Sequence, residues 1–355
     1  MSALNELSEI LPAGVLITDP TRLESYRQDW AREPSAAVPL AVVRAHHDEH
    51  VRTAVRWAAK HRVPVVPRGA GSGLSGGASA VAGGIVVSLE AMDCIEIDAD
   101  SRVAVVEPGA LNAAVKRAAA AHGLWYPPDP SSYEMCTIGG NIATNAGGLC
   151  CVKYGVTTDY VLGLDVVLAD GTSVTLGGKR IKDVAGLSLL KLFVGSEGTL
   201  GIVTRAILRL VPLPGPRATL VATFDTMADA SRAVVESCRR VRLSMLELID
   251  GISALAHEHD TTIAVVAHAG DGNTHPIIVF DPDDTAATAR AHAAFADVMK
   301  LAISLGGTIT GEHGVGRTKK AALPDQLGPD VMALNRAVKH ALDPAGILNP
   351  GAILD

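Results

Sequence analysis

The run Arg68-Gly-Ala-Gly-Ser-Gly-Leu-Ser-Gly-Gly-Ala78 restricts the folding options of this chain more than any other stretch. It follows Val63-Pro-Val-Val-Pro67, which reads as a strand, and within it Gly71-Ser-Gly73-Leu-Ser-Gly76 has the spacing of a dinucleotide-binding turn. Such a turn works only where a helix starts at the loop, so that the helix N-terminus faces a pyrophosphate. Here Gly76-Gly-Ala-Ser-Ala-Val-Ala-Gly-Gly84 comes next, too rich in glycine for a helix, and then another strand, Gly84-Ile-Val-Val-Ser88. The Rossmann reading therefore fails. What remains is a row of backbone N–H groups able to wrap a diphosphate as a nest, with a plain turn as the alternative. A second small-residue loop, Thr137-Ile-Gly-Gly-Asn-Ile-Ala-Thr-Asn-Ala-Gly-Gly148, allows close backbone approach to a flat ring system.

Around these loops strand and helix patterns alternate. Pro39-Leu-Ala-Val-Val-Arg44 is a strand, residues 50–61 a helix, and the segments 94–98 and 102–107 are strands before an alanine-rich helix at 111–122. Strands at 161–168 and 173–176 are joined by Asp170-Gly171 as a hairpin, and two more follow at 200–204 and 206–211. Residues 1–38 read as a helical lead-in, and Pro212-Leu-Pro-Gly-Pro216 as a linker. Beyond it the pattern predicts a strand at 218–224, a helix at 227–240, a short helical stretch at 251–259, a helix at 287–305 and a last helix at 329–342.

The second half contains His268-Ala-Gly-Asp-Gly-Asn-Thr-His275 and Thr310-Gly-Glu312-His313-Gly-Val-Gly. On one continuous strand two histidines seven residues apart would face opposite sides. Asp271-Gly272 lies between the apolar runs 262–267 and 276–280, so a hairpin there brings His268 and His275 side by side. Glu312, among glycines, is the best third ligand, and His313 beside it is placed to act on a substrate. Two imidazoles and a carboxylate suit zinc, manganese or iron(II) better than calcium or magnesium. Two loop histidines and a solvated Glu-His pair would be the bland alternative. His257-Glu258-His259-Asp260 reads as a solvated helix end.

With 355 residues, 48% of them apolar and 19% charged, the chain can fill two cores. A net charge of -7 without a basic run argues against nucleic acid as a partner. The acidic N-terminus is unlike a signal peptide and no run is long enough to span a membrane, so a cytoplasmic protein is expected. Cys94, Cys136, Cys150, Cys151 and Cys238 lack metal-site spacing and are expected to be reduced.

The ordered set Pro67-Arg-Gly-Ala-Gly-Ser-Gly, Pro127-Pro-Asp-Pro-Ser-Ser132, the loop at 137–148, Val194-Gly-Ser-Glu-Gly-Thr-Leu-Gly-Ile-Val-Thr204, the histidine hairpin, Gly311-Glu-His-Gly and Asp343-Pro-Ala-Gly-Ile-Leu-Asn-Pro-Gly351 resembles the FAD-linked 2-hydroxyacid dehydrogenases of the vanillyl-alcohol oxidase superfamily. The resemblance implies an α+β chain. After the lead-in, residues 39–215 would form a two-lobed, PCMH-type FAD domain, and 216–355 a ferredoxin-like cap domain that bears substrate and metal. It implies that Arg68, Gly69, Ala70, Gly71, Ser72, Gly73 and Gly76 hold the pyrophosphate, and that Ile138, Gly139, Gly140, Asn141 and Ala143 lie along the ribityl chain and flavin. Ser132 joins the FAD contacts, and Glu197, Gly201 and Ile202 reach the adenosine half. Members with covalent flavin often carry a histidine in the first glycine loop; none lies between Arg68 and Ala78, so non-covalent FAD is expected. His268, His275 and Glu312 fall on metal positions, zinc ahead of manganese or iron. Asn273 falls on a substrate-contacting position and His313 on that of the base. The implied partners are a small 2-hydroxyacid and an electron acceptor, whether a quinone, an electron-transfer flavoprotein or an iron-sulfur subunit; a homodimer is left open.

One departure stands out. Family members place a cap segment on the order of a hundred residues between the counterpart of Leu246-Glu-Leu-Ile-Asp250 and the hairpin, too much for ordinary loop variation. That segment carries an arginine directed at the substrate carboxylate. Here residues 251–267 contain neither arginine nor lysine. The pattern predicts a discontinuity near Asp250-Gly251, and leaves open an active dehydrogenase, a non-catalytic FAD-binding subunit and an inactive deletion product.

Overall fold

The computed structural model describes residues 3–216, 218–251 and 254–354. The first lobe contains α1 (Ala3–Ile10), β1 (Leu16–Ile17), α2 (Pro20–Glu24), β2 (Ala41–Arg44), α3 (Asp48–His61), β3 (Val65–Arg68) and β4 (Ile85–Ser88). Its sheet has the order β1-β2-β4-β3, and β4 runs parallel to both β2 and β3. All four residues of β4 are buried, as expected of a strand covered on both faces. Acidic Asp48 and Glu49 open α3, and Arg62 closes it in the left-handed region. Leu7, Leu11 and Val15 enter the same core as Val43 and Val87. Of the stretch expected as a helical lead-in, residues 3–38 contain two short helices and β1, and pack into the core of this lobe.

The second lobe comprises β5 (Ile95–Asp98), β6 (Val103–Val106), α4 (Asn112–Ala120), β7 (Leu124–Trp125), α5 (Ile138–Thr144), α6 (Cys151–Tyr154), β8 (Val161–Val167), β9 (Ser173–Gly177), α7 (Leu189–Phe193), β10 (Ile202–Arg209) and β11 (Val211–Pro212). Five strands form an antiparallel sheet in the order β5-β6-β10-β8-β9. The two strands expected at 200–204 and 206–211 are one strand, β10, whose register with β8 shifts between Val203 and Arg205. The second glycine segment is not all loop either. Thr137 accepts the Gly140 N–H at 3.3 Å and so starts α5, with Gly139 and Gly140 in its first turn.

The remaining elements are α8 (Met227–Arg240), β12 (Glu247–Gly251), α9 (Ala254–Glu258), β13 (Thr262–His268), β14 (Asn273–Val279), α10 (Thr285–Ser304) and α11 (Leu323–Leu342). β12, β13 and β14 form a three-stranded antiparallel sheet. β12 stays paired through Gly251, opposite Ala264, so the bond between Asp250 and Gly251, where the pattern predicts a discontinuity, lies inside a strand. Of the helix expected at 251–259, Gly251 belongs to β12, α9 spans Ala254–Glu258, and positions 252–253 lie outside the described residues. The strand expected at 218–224 has no ladder partner among the described residues; Leu220 is 91% and Val221 85% exposed. A strand pattern becomes a strand only on pairing with an edge, and this stretch pairs with none of the described strands. The last helix starts at Leu323, before the predicted Pro329, and kinks at Gly328 with φ 76°.

The C-terminal tail returns to the first lobe. The Val65 N–H donates to Ile347 O at 2.7 Å, and the Asn349 N–H to Val65 O at 2.8 Å. Lys339 ties Thr199 O and Leu348 O together at 2.7 and 2.8 Å. The boundary at 215/216 therefore separates stretches that the fold rejoins.

Candidate active site

The two glycine segments touch. A Cβ on Gly69 would stand 2.2 Å from Thr137 Oγ1, one on Gly71 2.1 Å from the Arg68 guanidinium, and one on Gly139 2.6 Å from Pro108 Cβ. Beside them lies a cavity of about 360 Å³, within the range of small-molecule and cofactor sites. Of the residues expected at FAD, Arg68, Gly69, Ala70, Gly71, Ser72, Gly73, Ser132, Gly139, Gly140, Asn141, Ala143, Glu197, Gly201 and Ile202 line it. Ile138 does not; it is fully buried in the core of the second lobe. Gly76 does not either: it turns the chain with φ 77°, and its carbonyl accepts from Arg317. Arg68 donates to Ala78 O at 3.1 Å, so its guanidinium shapes the loop from within. The Glu197 carboxylate accepts the N–H groups of Val315 and Gly316.

These small residues fit a group that approaches the backbone. At Gly73 the nearest protein atom to an added Cβ is Asp29 Oδ2, at 3.6 Å, so the space there is open to a ligand. Asp29 and Trp30, which the sequence reading missed, also line the cavity; their turn is pinned by Trp30 N–H to Gly71 O at 3.2 Å and Ala31 N–H to Gly73 O at 3.1 Å.

The same cavity reaches Glu312 and His313. β13 and β14 pair His268 with Asn273 and Val266 with His275, which sets both histidines on one face of the hairpin. Their ring centroids lie 4.8 Å apart. Glu312 Oε1 is 3.5 Å from His268 Nε2 and 3.3 Å from His275 Nε2, and the ligand atoms of the trio all fall within 4.8 Å of one another. A tetrahedral ion with bonds of about 2.1 Å needs ligand atoms about 3.4 Å apart, so the donor set fits. His268 Nε2 is buried without a hydrogen-bond partner, whereas its Nδ1 lies 2.8 Å from Glu247 Oε2. A carboxylate behind a ligating imidazole is the usual outer support of such a ring. His313 Nε2 is 3.3 Å from Glu312 Oε1, and its ring centroid is 5.0 Å from that of His275. Asn273 Nδ2 stands 3.5 Å from His275 Nε2, and its side chain packs over Gly311.

Electrostatics favours the ligating forms of His275 and Glu312, whereas at His268 a proton competes for the ring. Burial pushes the pKa of His275 down, which keeps it neutral. Burial opposes charge on His268 as well, but Glu247 and Glu312 outweigh it and raise its pKa. For Glu312 burial is overcome by His313, His275 and His268, which hold the carboxyl below its ordinary range. Two further neighbours escaped sequence reasoning. Lys319 donates to Thr310 Oγ1 at 3.1 Å, and burial pulls its pKa down to about 8. The Cys151 thiol, close to Gly147 and so to Glu312, is pushed up to about 12 by burial and stays neutral. His259, discounted on sequence, pairs with Asp297 at 3.0 Å.

The FAD binding domain family matches residues 39–177, and the family of FAD linked oxidases, C-terminal domain, matches residues 213–256 and 249–353. Glycolate oxidase subunit GlcD of Bacillus subtilis is 35% identical over 417 positions, taking in 89% of each chain. D-lactate dehydrogenase of Archaeoglobus fulgidus is 33% identical over 453 positions, with 100% of this chain and 99% of that one covered. D-2-hydroxyglutarate dehydrogenase of Xanthomonas citri is 31% identical, with 98% and 96% covered. A 453-position alignment to 355 residues leaves roughly a hundred positions of the relative without a counterpart here, beyond ordinary loop variation. The two stretches matched by the C-terminal family meet at residues 249–256. An alkyldihydroxyacetonephosphate synthase structure shares the fold, with TM-score 0.68 at 16% identity over 98% of this chain and 85% of that one. The chain belongs to the FAD-linked oxidoreductase family that includes glycolate oxidase subunits and the D-lactate and D-2-hydroxyglutarate dehydrogenases.

Proposed function

We propose that the protein oxidises a small 2-hydroxyacid, such as glycolate, D-lactate or D-2-hydroxyglutarate, to its 2-oxoacid. FAD would be held non-covalently along the two glycine segments, and a divalent metal, zinc before manganese or iron, on His268, His275 and Glu312. The observation that carries this reading is the single cavity shared by both glycine segments, Glu312 and His313. When bound, FAD supplies a two-electron acceptor and the metal supplies Lewis acidity toward a hydroxyl oxygen.

The chain's own residues do the rest. Backbone N–H groups of residues 69–73 would bind the pyrophosphate, Gly139, Gly140, Asn141 and Ala143 would lie along the flavin, and Ser132, Glu197, Gly201 and Ile202 complete the wall. Glu247 holds a proton on His268 Nδ1, which turns the Nε2 lone pair toward the ligand cluster. With its Nε2–H donated to Glu312 Oε1, His313 keeps the lone pair on Nδ1 to take the substrate's hydroxyl proton. Asn273 orients the substrate beside His275. Electrons leave to a quinone, an electron-transfer flavoprotein or an iron-sulfur subunit, and the setting is cytoplasmic. No described helix is long and apolar enough to cross a membrane.

The test is an anaerobic titration of the yellow protein with each of the three acids. Bleaching of the flavin absorbance by one of them supports the reading, and a colourless protein that takes up no FAD removes it. A second reading, an FAD-binding subunit without turnover, draws on the roughly hundred positions of the relative that have no counterpart here, on the two C-terminal family matches that meet at 249–256, and on the lack of arginine and lysine in residues 251–267. It requires FAD to bind and none of the acids to reduce it.

A further inference from the structure

The loop that carries Glu312 and His313 is gripped by the FAD domain. Ser75 Oγ lies 2.8 Å from the His313 carbonyl and 3.0 Å from that of Gly314, and the Ser75 carbonyl accepts the N–H groups of Arg317 and Thr318 at 2.7 and 3.2 Å. Glu197 Oε1 accepts the Val315 N–H at 2.7 Å, and Oε2 the Gly316 N–H at 2.9 Å. The fit leaves no room for side chains: a Cβ on Gly316 would stand 1.9 Å from Ser75 O, and one on Gly314 2.7 Å from Glu197 Oε1. Ser75 and Glu197 are 3% and 5% exposed, and both also line the cavity. Glu197 adopts φ 51°, a left-handed conformation that a non-glycine residue keeps only where its surroundings enforce it.

We infer that Ser75 and Glu197 are positioning residues that carry FAD occupancy into the placement of Glu312 and His313, so that FAD and the divalent cation bind with positive coupling. The inference rests on the proposed function, since it needs FAD in the cavity and a cation on His268, His275 and Glu312. Its physical basis is conformational entropy. Glycine has more backbone freedom to lose on ordering than any other residue, and Ser75, bonded to the loop through its hydroxyl and its carbonyl, shares with the loop what freedom the nest keeps. A ligand that fixes residues 69–77 lowers the ordering cost of the second binding event. Linkage makes the effect reciprocal.

The test measures both equilibria on the full chain. Co(II), as the metal probe, is titrated calorimetrically into flavin-stripped and FAD-loaded protein, and FAD into protein with and without saturating Co(II). Co(II) should bind about tenfold tighter to the FAD-loaded form, and FAD tighter by the same factor when Co(II) is present. Ser75→Ala, which removes the hydroxyl contacts to the His313 and Gly314 carbonyls and keeps those of the Ser75 carbonyl and of Glu197, should lower both ratios by about twofold or more while each ligand still binds; Glu197→Gln, which keeps an acceptor oxygen for the loop, should retain part of the coupling. Equal Co(II) affinities in wild-type protein that binds both ligands overturn the inference alone, as does full coupling in Ser75→Ala. Failure of FAD or Co(II) to bind at all overturns it together with the function it rests on.

Discussion

One carboxylate oxygen, Glu312 Oε1, stands within 3.5 Å of three imidazoles: two proposed ligands and the proposed base. The division of labour can be separated. His313→Gln should lower the rate of flavin reduction by about 10²–10⁴ in anaerobic stopped-flow while leaving FAD and Co(II) affinities in place; a loss of Co(II) binding would make His313 a ligand instead. Glu247→Gln should weaken Co(II) binding by roughly 10–100-fold, because the supporting carboxylate is gone. Lys319 makes a prediction about pH. Its pKa is about 8 in the folded chain against an ordinary 10.5, so between those values the unfolded chain holds the extra proton and stability rises with pH. Lys319→Met should remove that rise, at most about 3 kcal/mol, from urea unfolding compared at both ends of the window. His268, His275, Glu312 and His313 were legible because each lies in a short local motif. Glu247 and Lys319 were not, since the first acquires its role through the β12–β13 register and the second through burial.

At the scale of elements, the hairpin and the glycine segments were legible in kind and less so in detail. The Asp271-Gly272 signal placed the turn, yet β13 and β14 close around the four residues 269–272, and β14 already begins at Asn273. The segment 137–148 read as loop because glycine is a poor helix former; the Thr137 cap and the packing of Ile138 and Ile142 override that propensity. Two glycines of similar appearance should therefore behave differently. Gly73→Val meets only Asp29 Oδ2, at 3.6 Å for its Cβ, and should weaken FAD at least tenfold in a titration with little change in the thermal midpoint of flavin-stripped protein. Gly139→Ala drives a Cβ to 2.6 Å from Pro108 and should cost about 1–3 kcal/mol of stability before any FAD is added. The reverse pattern would mean that the cavity wall at Gly73 is structural.

At the scale of the molecule, the FAD domain was legible because its strands pair with one another; in the cap the hairpin and helices were legible too, and the strand expected at 218–224 was not, because it has no ladder partner among the described residues. Residues 218–224 keep an apolar strand pattern, but among the described residues the three-stranded sheet β12-β13-β14 gives them no partner, and Leu220 and Val221 lie almost fully exposed. β12 and β14 are themselves edges, and unpaired edges beside an exposed β-prone segment recruit other chains. Sedimentation velocity over roughly 1 to 100 µM should therefore show mass-average size growing with concentration. Leu220→Lys combined with Val221→Glu should shift the population toward monomer, because charge on an edge-seeking segment opposes strand addition. Both side chains are in solvent, so the double variant should keep its FAD content and change stability by no more than about 0.5 kcal/mol per site. A wild-type chain that stays monomeric throughout that range would mean that the segment, however apolar, finds no edge it can join.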